Sequence, residues 1–571
     1  PNGKIDRAAL PAPSIERDAS THVPPSTASE LLIAQAWSEV LGEHEPGIHD
    51  SFFALGGHSL LAARTFSRIR ALSGIELPLR ALFETPTIAG LARVLDAARA
   101  AQGDGPVLAD VIPRLAPGEA LAATPAQQSL WFIDRLFGAS GVYNIPHALR
   151  LRGALDRGAL LQALRALVDR HDALRTCFDE RDGEVVPRVL PQVHLELPVV
   201  ELADDELEES ALLAQLTAAA AEPFELSRAP LLRARLYRLG SREHVLLLCI
   251  HHIVSDGWSI EVLACELDAF YRAAREGRAA HLAPLAIGFA DFAVWQKRQL
   301  DEPAVEEHLA FWRRRLADSA VLQLPTDRPR STRPDYQGRT LRFAIDADVM
   351  APIRTIARQH DATLFQVLLA AFDVLLARYG GQTDVIVGSP VAGRARAETE
   401  GLIGYFVNSI VLRTDLSGEP TFAELLARVR ATCIDAQAHQ DLPFDRLVAE
   451  LSPEREIGRN PLYQVSFSFA NQSDIRPPVL GDLGVEPIAL HTGTAKFDLS
   501  LGLTEHADGT VAASLEYATQ LYDHVTIERI ARHLVNLLRQ IGSGEALPVA
   551  RLRLMDEAER RQVVEGWNET R

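Results

Sequence analysis

Apolar residues follow a helical period first and a mixed one later. Leu31, Leu32, Trp37, Val40 and Leu41 are read as one helical face that closes at Gly42. Thr27-Ala28-Ser29-Glu30 fits a capping box at its start. A second helix is expected near Ser59, with Leu60, Leu61, Phe66 and Ile69 on its apolar side and Gly74 as its stop, and a last one from Thr87 towards Ala98. Together these make a small all-α bundle of roughly 75 residues, enough to fold. Further along, helices and strands alternate. Asp156 is placed to cap a helix carrying Leu160, Leu161, Leu164, Leu167 and Val168, which leads into a strand around Leu174–Phe178. Val245–Ile250 is a continuous apolar run, the pattern of a strand buried on both faces. Thr363–Arg378 reads as a helix stopped by Gly380-Gly381, with the strand Asp384–Val387 after it. This second part is expected to be α/β with two lobes.

Two stretches follow neither period. The opening PNGKIDRAALPAPSIERDASTHVPPST is rich in Pro, Ser and charge, and Ala100–Pro117 is rich in Ala, Gly and Pro; both read as tethers. With 571 residues several domains are expected, and a start at Pro1 with no secretory signal suggests a piece of a longer protein. The net charge of −18 offers no basic stripe for nucleic acid. Val245–Ile250 is far too short to cross a bilayer, so no membrane partner is expected. Cys177, Cys249, Cys265 and Cys433 lack metal-ligand spacing, which points to free thiols, no metal site and a reducing, cytoplasmic setting. A monomer is expected.

Two segments carry candidate chemistry. In Asp50-Ser51-Phe52-Phe53-Ala54-Leu55-Gly56-Gly57-His58-Ser59-Leu60, two glycines permit a sharp entry and Ser59 arrives at a helix N-terminus. A plain N-cap serine explains that much equally well. In Ile250-His251-His252-Ile253-Val254-Ser255-Asp256-Gly257-Trp258, adjacent histidines end the apolar strand. Alternation along a strand sends the two rings to opposite faces, and adjacent histidines chelate metal poorly. Structural histidines holding a turn are the bland alternative. The other is an imidazole with a near-neutral pKa that orients or deprotonates an attacking amine.

The first string, DSFFALGGHSL, resembles the phosphopantetheine attachment signature of peptidyl carrier proteins. That resemblance implies that Ser59 carries a 4′-phosphopantetheine arm, installed by a phosphopantetheinyl transferase. PNGKIDR (Pro1–Arg7) resembles the closing motif of an adenylation domain, whose Lys4 would be idle without its parent domain. The second string resembles the HHxxxDG motif of non-ribosomal peptide synthetase condensation domains and their wider chloramphenicol-acetyltransferase-like fold. Six further stretches stand in family order: TPAQQSLW (Thr124–Trp131), RHDALRTCF (Arg170–Phe178), FADFAVW (Phe289–Trp295), IGYFVNSIVLR (Ile403–Arg413), HQDLPFD (His439–Asp445) and GRNPLYQ (Gly458–Gln464).

The resemblance implies a four-helix carrier bundle followed by a two-lobed condensation domain. The expected divisions are 1–23 adenylation tail and linker, 24–99 carrier, 100–117 linker, 118–285 first lobe, 286–560 second lobe and 561–571 the start of a linker. It makes His252 the catalytic or amine-positioning histidine and His251 its structural neighbour. Asp256 is expected to pair with Arg394, and Gly257 to keep the donor's path clear. Asn408 and Ser409 are expected near the tunnel. Ser129 stands where the family commonly has arginine, so any contact of that arginine is in doubt. The implied activity is amide bond formation between a carrier-bound donor thioester, of the type with an L-configured donor residue, and the amine on a downstream acceptor carrier. Adenylation domains would flank the pair, and the product would be an antibiotic or siderophore type of peptide. An epimerisation domain is disfavoured by the ending LRLMDE with WNET, which resembles the linker into a further adenylation domain. Intact histidines disfavour a heterocyclising domain, and a scaffold-only domain is disfavoured by intact His252, Asp256 and Gly257.

Overall fold

The computed structural model describes residues 22–568, apart from 43–44, 54, 56, 58, 79, 103–110, 139, 203–207, 332–334, 452–458, 472–477 and 545. Lys4 and nearly all of the opening tether lie outside the described residues. The chain divides into two compact units, Pro1–Ala109 and Asp110–Arg571.

The first unit contains four described helices: Ala28–Leu41, Ser59–Ser73, Arg80–Glu84 and Ile88–Gln102. Thr27 and Glu30 form the expected capping box, and Gly74 ends the second helix at φ 71°. The buried face of the first helix differs from the expected one. Ile33, Ala34 and Trp37 line the core, whereas Leu31 is 55% exposed. Two residues turn a helix by about 200°, so Leu31 sits opposite Ile33. Trp37 meets Phe52 edge-on at 5.1 Å, and Ile69, Leu82, Leu91 and Leu95 close around them.

The second unit holds two large sheets. One runs Gly484–Ile488, Asn144–Arg152, Glu243–His251, Leu232–Arg238 and Val199–Glu201 in spatial order. Its central strand, Glu243–His251, pairs antiparallel on both sides, and every residue from Val245 to His251 is buried. The other sheet runs Gly338–Ile345, Val511–Ala518, Leu499–Glu505, Val465–Asn471, Asp384–Val391 and Asn408–Asp415. The helix Leu364–Gly380 fills the core beside it, buried from Gln366 to Leu376 and closed by Gly381 in the left-handed conformation. Asp156 caps the helix Arg157–Arg170 as expected, with Oδ1 accepting from the Ala159 N–H at 2.9 Å.

The lobes are not consecutive stretches of chain. Gly484–Ile488, from the second half, pairs with Asn144–Arg152 at the edge of the first sheet, and Phe289, Phe292, Ile403, Phe406 and Leu480 pack into the first lobe's core. A cut at 285/286 therefore separates residues that share one apolar core. Sequence order hides this, because a crossover adds few residues to either pattern. Among the described residues, no single helix is long and apolar enough to cross a membrane.

Candidate functional site

The buried strand delivers His251 at its last position, and His252 opens a single turn, His252–Val254. The rings diverge through that turn, since the strand ends one residue too early for alternation to separate them. His251 Nδ1 accepts from the Ile253 N–H at 3.2 Å, and its ring stands edge-on to Phe224. The His252 N–H donates to the Tyr143 carbonyl at 2.8 Å, and its ring lies 4.9 Å from that of Tyr405. His252 Nδ1 has no hydrogen-bond partner among the described residues. Burial pushes both imidazoles down to about 3, with Lys496 and, for His251, the neighbouring His252 adding to it. That is well below the near-neutral value of the catalytic alternative, because burial disfavours the imidazolium and, at His252, bonds to the backbone of His252 and Ser255 offset it only in part.

Asp256 caps the helix Gly257–Arg275. Its Oδ1 accepts from Ser259 N (2.8 Å), Ser259 Oγ (2.7 Å) and Arg394 Nη2 (3.1 Å), and its Oδ2 from the N–H groups of Phe406 (2.9 Å) and Val407 (3.2 Å). Arg394 also donates to the Leu402 carbonyl at 2.8 Å and lies 4.0 Å over the Phe406 ring. Both residues are buried, at 1% and 4% exposure. Gly393 makes the approach possible: it has φ 65°, and a Cβ there would fall 1.9 Å from the Phe406 carbonyl oxygen. A pair this enclosed and this fully bonded holds elements together, and removing either member strands a charge.

Gly257 is exposed, and a Cβ on it would meet nothing within 4 Å, so a side chain there would project into open space. Asn408 is a clamp. Its Nδ2 donates to the carbonyls of Gln440 (2.7 Å) and Leu442 (2.8 Å), and its Oδ1 accepts from the Phe444 N–H (2.9 Å). It thereby fixes the start of the helix Phe444–Leu451, whose first turn carries Asp445. Burial raises the Asp445 pKa, and the Ser129 hydroxyl opposes that rise. Ser409 acts likewise on Tyr463, whose phenol burial pushes up to about 12.

Sequence reasoning quoted the strings containing Tyr405, Asp445 and Tyr463 without singling those residues out, and passed over Lys496 altogether. Lys496 Nζ sits 5.1 Å from the Tyr143 ring, and its charge is felt at both His251 and His252. The only signal available was one lysine between apolar residues in Thr494-Ala495-Lys496-Phe497.

In the first unit, Ser59 is the first residue of a 15-residue helix, where a phosphate attached to it would meet the positive end of the helix dipole. Gly57 is required by the turn before it: its N–H donates to the Phe52 carbonyl at 2.9 Å, and a Cβ would lie 2.3 Å from the Phe52 ring. The turn and helix end fit a 4′-phosphopantetheine arm.

The Condensation domain family model matches residues 119–564, and the Phosphopantetheine attachment site model matches residues 32–95. The chain is 43% identical along its full length to a linear gramicidin synthase of Brevibacillus parabrevis, of which it spans 7%. The X-domain from teicoplanin biosynthesis superposes with a TM-score of 0.73 at 30% identity, covering 78% of this chain and all of that one. The first condensation domain of the calcium-dependent antibiotic synthetase, with a substrate analogue, shares the fold at a TM-score of 0.66 and 22% identity, over 77% of this chain and all of that one. The chain therefore belongs to the condensation-domain family, with a phosphopantetheine-attachment domain of the non-ribosomal peptide synthetases joined before it.

Proposed function

We propose that Ser59 bears the arm that presents a donor thioester, and that the second unit joins this donor to the amine of an amino acid held on a downstream acceptor carrier. The observation that carries this reading is His252: a neutral, enclosed imidazole edge-on to the Tyr405 ring, with the charge of Lys496 felt at it. The arm supplies a reactive thioester on a flexible tether, and aminolysis of a thioester runs downhill. Much of the acceleration can therefore come from holding amine and carbonyl in line. An imidazole at about 3 is a weak base, so His252 serves best by accepting an N–H hydrogen bond from the neutral amine and orienting its lone pair. Gly257 keeps the donor's path open, and Asp256 with Arg394 holds the lobes in register. Adenylation domains before and after, a phosphopantetheinyl transferase, an L-configured donor residue and the cytoplasm complete the reading. The buried free thiols Cys177, Cys249 and Cys433 are compatible with a reducing compartment.

The test is single-turnover condensation by the full chain, loaded on its arm by a phosphopantetheinyl transferase and acyl-coenzyme A and supplied with an aminoacyl thioester mimic. Ser59→Ala should take up no arm. His252→Ala should load normally, melt no lower and form amide roughly 100-fold more slowly. Loading of Ser59→Ala, or an unchanged rate in His252→Ala, would overturn the assignment of the residue concerned. Should an amino acid on Ser59's arm instead gain an acyl group from an external thioester, the direction of transfer would be the reverse.

A further inference from the structure

Lys496 belongs to the segment that crosses between the lobes. The chain leaves the second sheet, pairs as Gly484–Ile488 with the first, and returns through Lys496 to begin the strand Leu499–Glu505. The return is held tightly at its backbone. Asn460 Nδ2 donates to the Lys496 carbonyl at 2.6 Å, and Gln464 Nε2 donates to the Asn460 carbonyl at 3.1 Å. The Asp498 N–H donates to the Gln464 carbonyl at 3.0 Å, and the Asp498 carboxylate is paired with Arg330. Phe497 stacks on Tyr463 at 5.3 Å between ring centres. Two residues of GRNPLYQ thus clamp the backbone of the segment and leave the Lys496 side chain to other neighbours.

The ammonium at the end of that side chain is unlike other enclosed cations in the second unit. Arg394 is bonded to a carboxylate, a hydroxyl and carbonyls, whereas Lys496 Nζ has no hydrogen bond or ion pair within bonding distance among the described residues. Its nearest counter-charge is Glu516, whose carboxylate bonds the Lys496 backbone N–H and acts on the ammonium through space. It lies instead against the Tyr143 ring, and the Tyr143 carbonyl is the group that fixes His252. Lys496 keeps accessible surface, as does His252. A cation with no bonded carboxylate, sharing Tyr143 with the imidazole and felt at it, on a braced backbone, is arranged to meet developing negative charge.

We propose that the Lys496 ammonium is the electrophilic partner of the reaction, donating a hydrogen bond to the carbonyl oxygen of the donor thioester as that oxygen becomes an anion. The inference rests on the condensation reading of the preceding subsection. The amine nitrogen's lone pair forms the C–N bond while the carbonyl π pair moves onto oxygen beside Lys496. Collapse of this intermediate restores C=O and breaks C–S, and the proton released from nitrogen ends on the departing sulfur. Nothing is oxidised or reduced, and Lys496 keeps its own proton.

The test compares Lys496→Met and Lys496→Arg with His252→Ala in the loaded full chain. Lys496→Met should slow single-turnover condensation about 100-fold and weaken binding of a tetrahedral phosphonamidate analogue of acyl-pantetheine by a similar factor. Binding of the planar amide analogue should change less than about threefold, because it bears no oxyanion. Lys496→Arg should recover part of the rate. Melting of Lys496→Met should be little changed, since the enclosed charge it removes is offset by the loss of the cation that acts on Glu516. A methionine variant within about threefold of the parent rate, equal loss of both analogues, or a loss that follows a lowered melting point would overturn the proposal. If His252→Ala is slow while Lys496→Met is not, the role of the lysine alone fails. If His252→Ala keeps its full rate, the underlying site reading fails.

Discussion

Buried charge takes two forms within one unit of this chain. At Asp256 and Arg394, both carboxylate oxygens accept several hydrogen bonds, and the guanidinium is spread over a carboxylate, a hydroxyl, carbonyls and an aromatic face. Around His252, by contrast, the imidazole meets only backbone groups and rings, Lys496 Nζ is balanced by Glu516 only through space, and no cation stands within ion-pair distance of Asp445 among the described residues. The first arrangement is complete without any further molecule. The second leaves charge without a bonded partner among the described residues. Both contain family-motif residues, so motif membership alone does not separate structure from chemistry, whereas bonding does.

The largest expected effect falls on the closed pair. Asp256→Ala strands Arg394 in a buried place, leaves the Phe406 and Val407 N–H groups without an acceptor and removes a helix cap. We expect a loss of about 3–5 kcal/mol in unfolding free energy, measured by chemical denaturation. An Asp256→Ala protein that unfolds at the parent denaturant concentration would show that bonding does not distinguish the two arrangements.

A third buried ionisable group sharpens the comparison, because it lies within the core helix of the second sheet. Asp373 lies in the helix Leu364–Gly380, and neither of its oxygens has a hydrogen-bond partner among the described residues. Burial raises its pKa to about 8, against a smaller opposing pull from Thr414. In the unfolded chain it ionises near 4, so between about 4 and 8 the folded state binds the extra proton. Stability from this group is thus fully present below about 4 and is lost as pH rises towards 8, at up to ~1.4 kcal/mol per unit. His251 and His252, held at about 3, and His147, at about 4, act in the opposite sense below about 6.5, where only the unfolded chain takes up their protons. The clean window is therefore from about 6.5 to 8. Parent stability should fall there by roughly 2 kcal/mol attributable to Asp373, and Asp373→Asn should not show that fall. Parallel pH curves for the two proteins would remove Asp373 as the cause.

How much of this was legible in the sequence depended on whether the signal was local. The capping box at Thr27, the Asp156 cap, the stops at Gly74 and Gly381 and the apolar strand ending at His251 are all written within a few residues, and all are seen. The pairing of Asp256 with Arg394 spans 138 positions and was reached only through the family resemblance. What stayed hidden depended on packing. Leu31 reads like a core residue until the helix is rotated against its partners. Gly484–Ile488 buries only Val485 and Ile488, and those in part, too weak a pattern to announce a strand that crosses between lobes. The setting of the Lys496 ammonium is made in part by Tyr143, which lies far from it in sequence.

The smallest effect expected is also the most direct attempt to turn the open arrangement into the closed one. The Ser129 hydroxyl lies on the carboxylate of Asp445. A hydroxyl offers one donor and no charge, so burial still holds the Asp445 pKa above its ordinary value. Ser129→Arg would bring a guanidinium to that carboxylate from the helix Pro125–Phe137. The new pair must offset the desolvation of the guanidinium, so the net gain should be modest, about 1 kcal/mol in unfolding free energy, with the Asp445 pKa lowered. The sign of the pH effect follows: a carboxyl with a lowered pKa adds stability above its unfolded value near 4 and loses it as pH falls. The advantage of Ser129→Arg should therefore be visible at pH 7 and vanish on acidification, as read by denaturation at both pH values. Equal stability of parent and variant at pH 7 would mean that Asp445 already has an effective partner, and that it belongs with Asp256 rather than with Lys496 and His252.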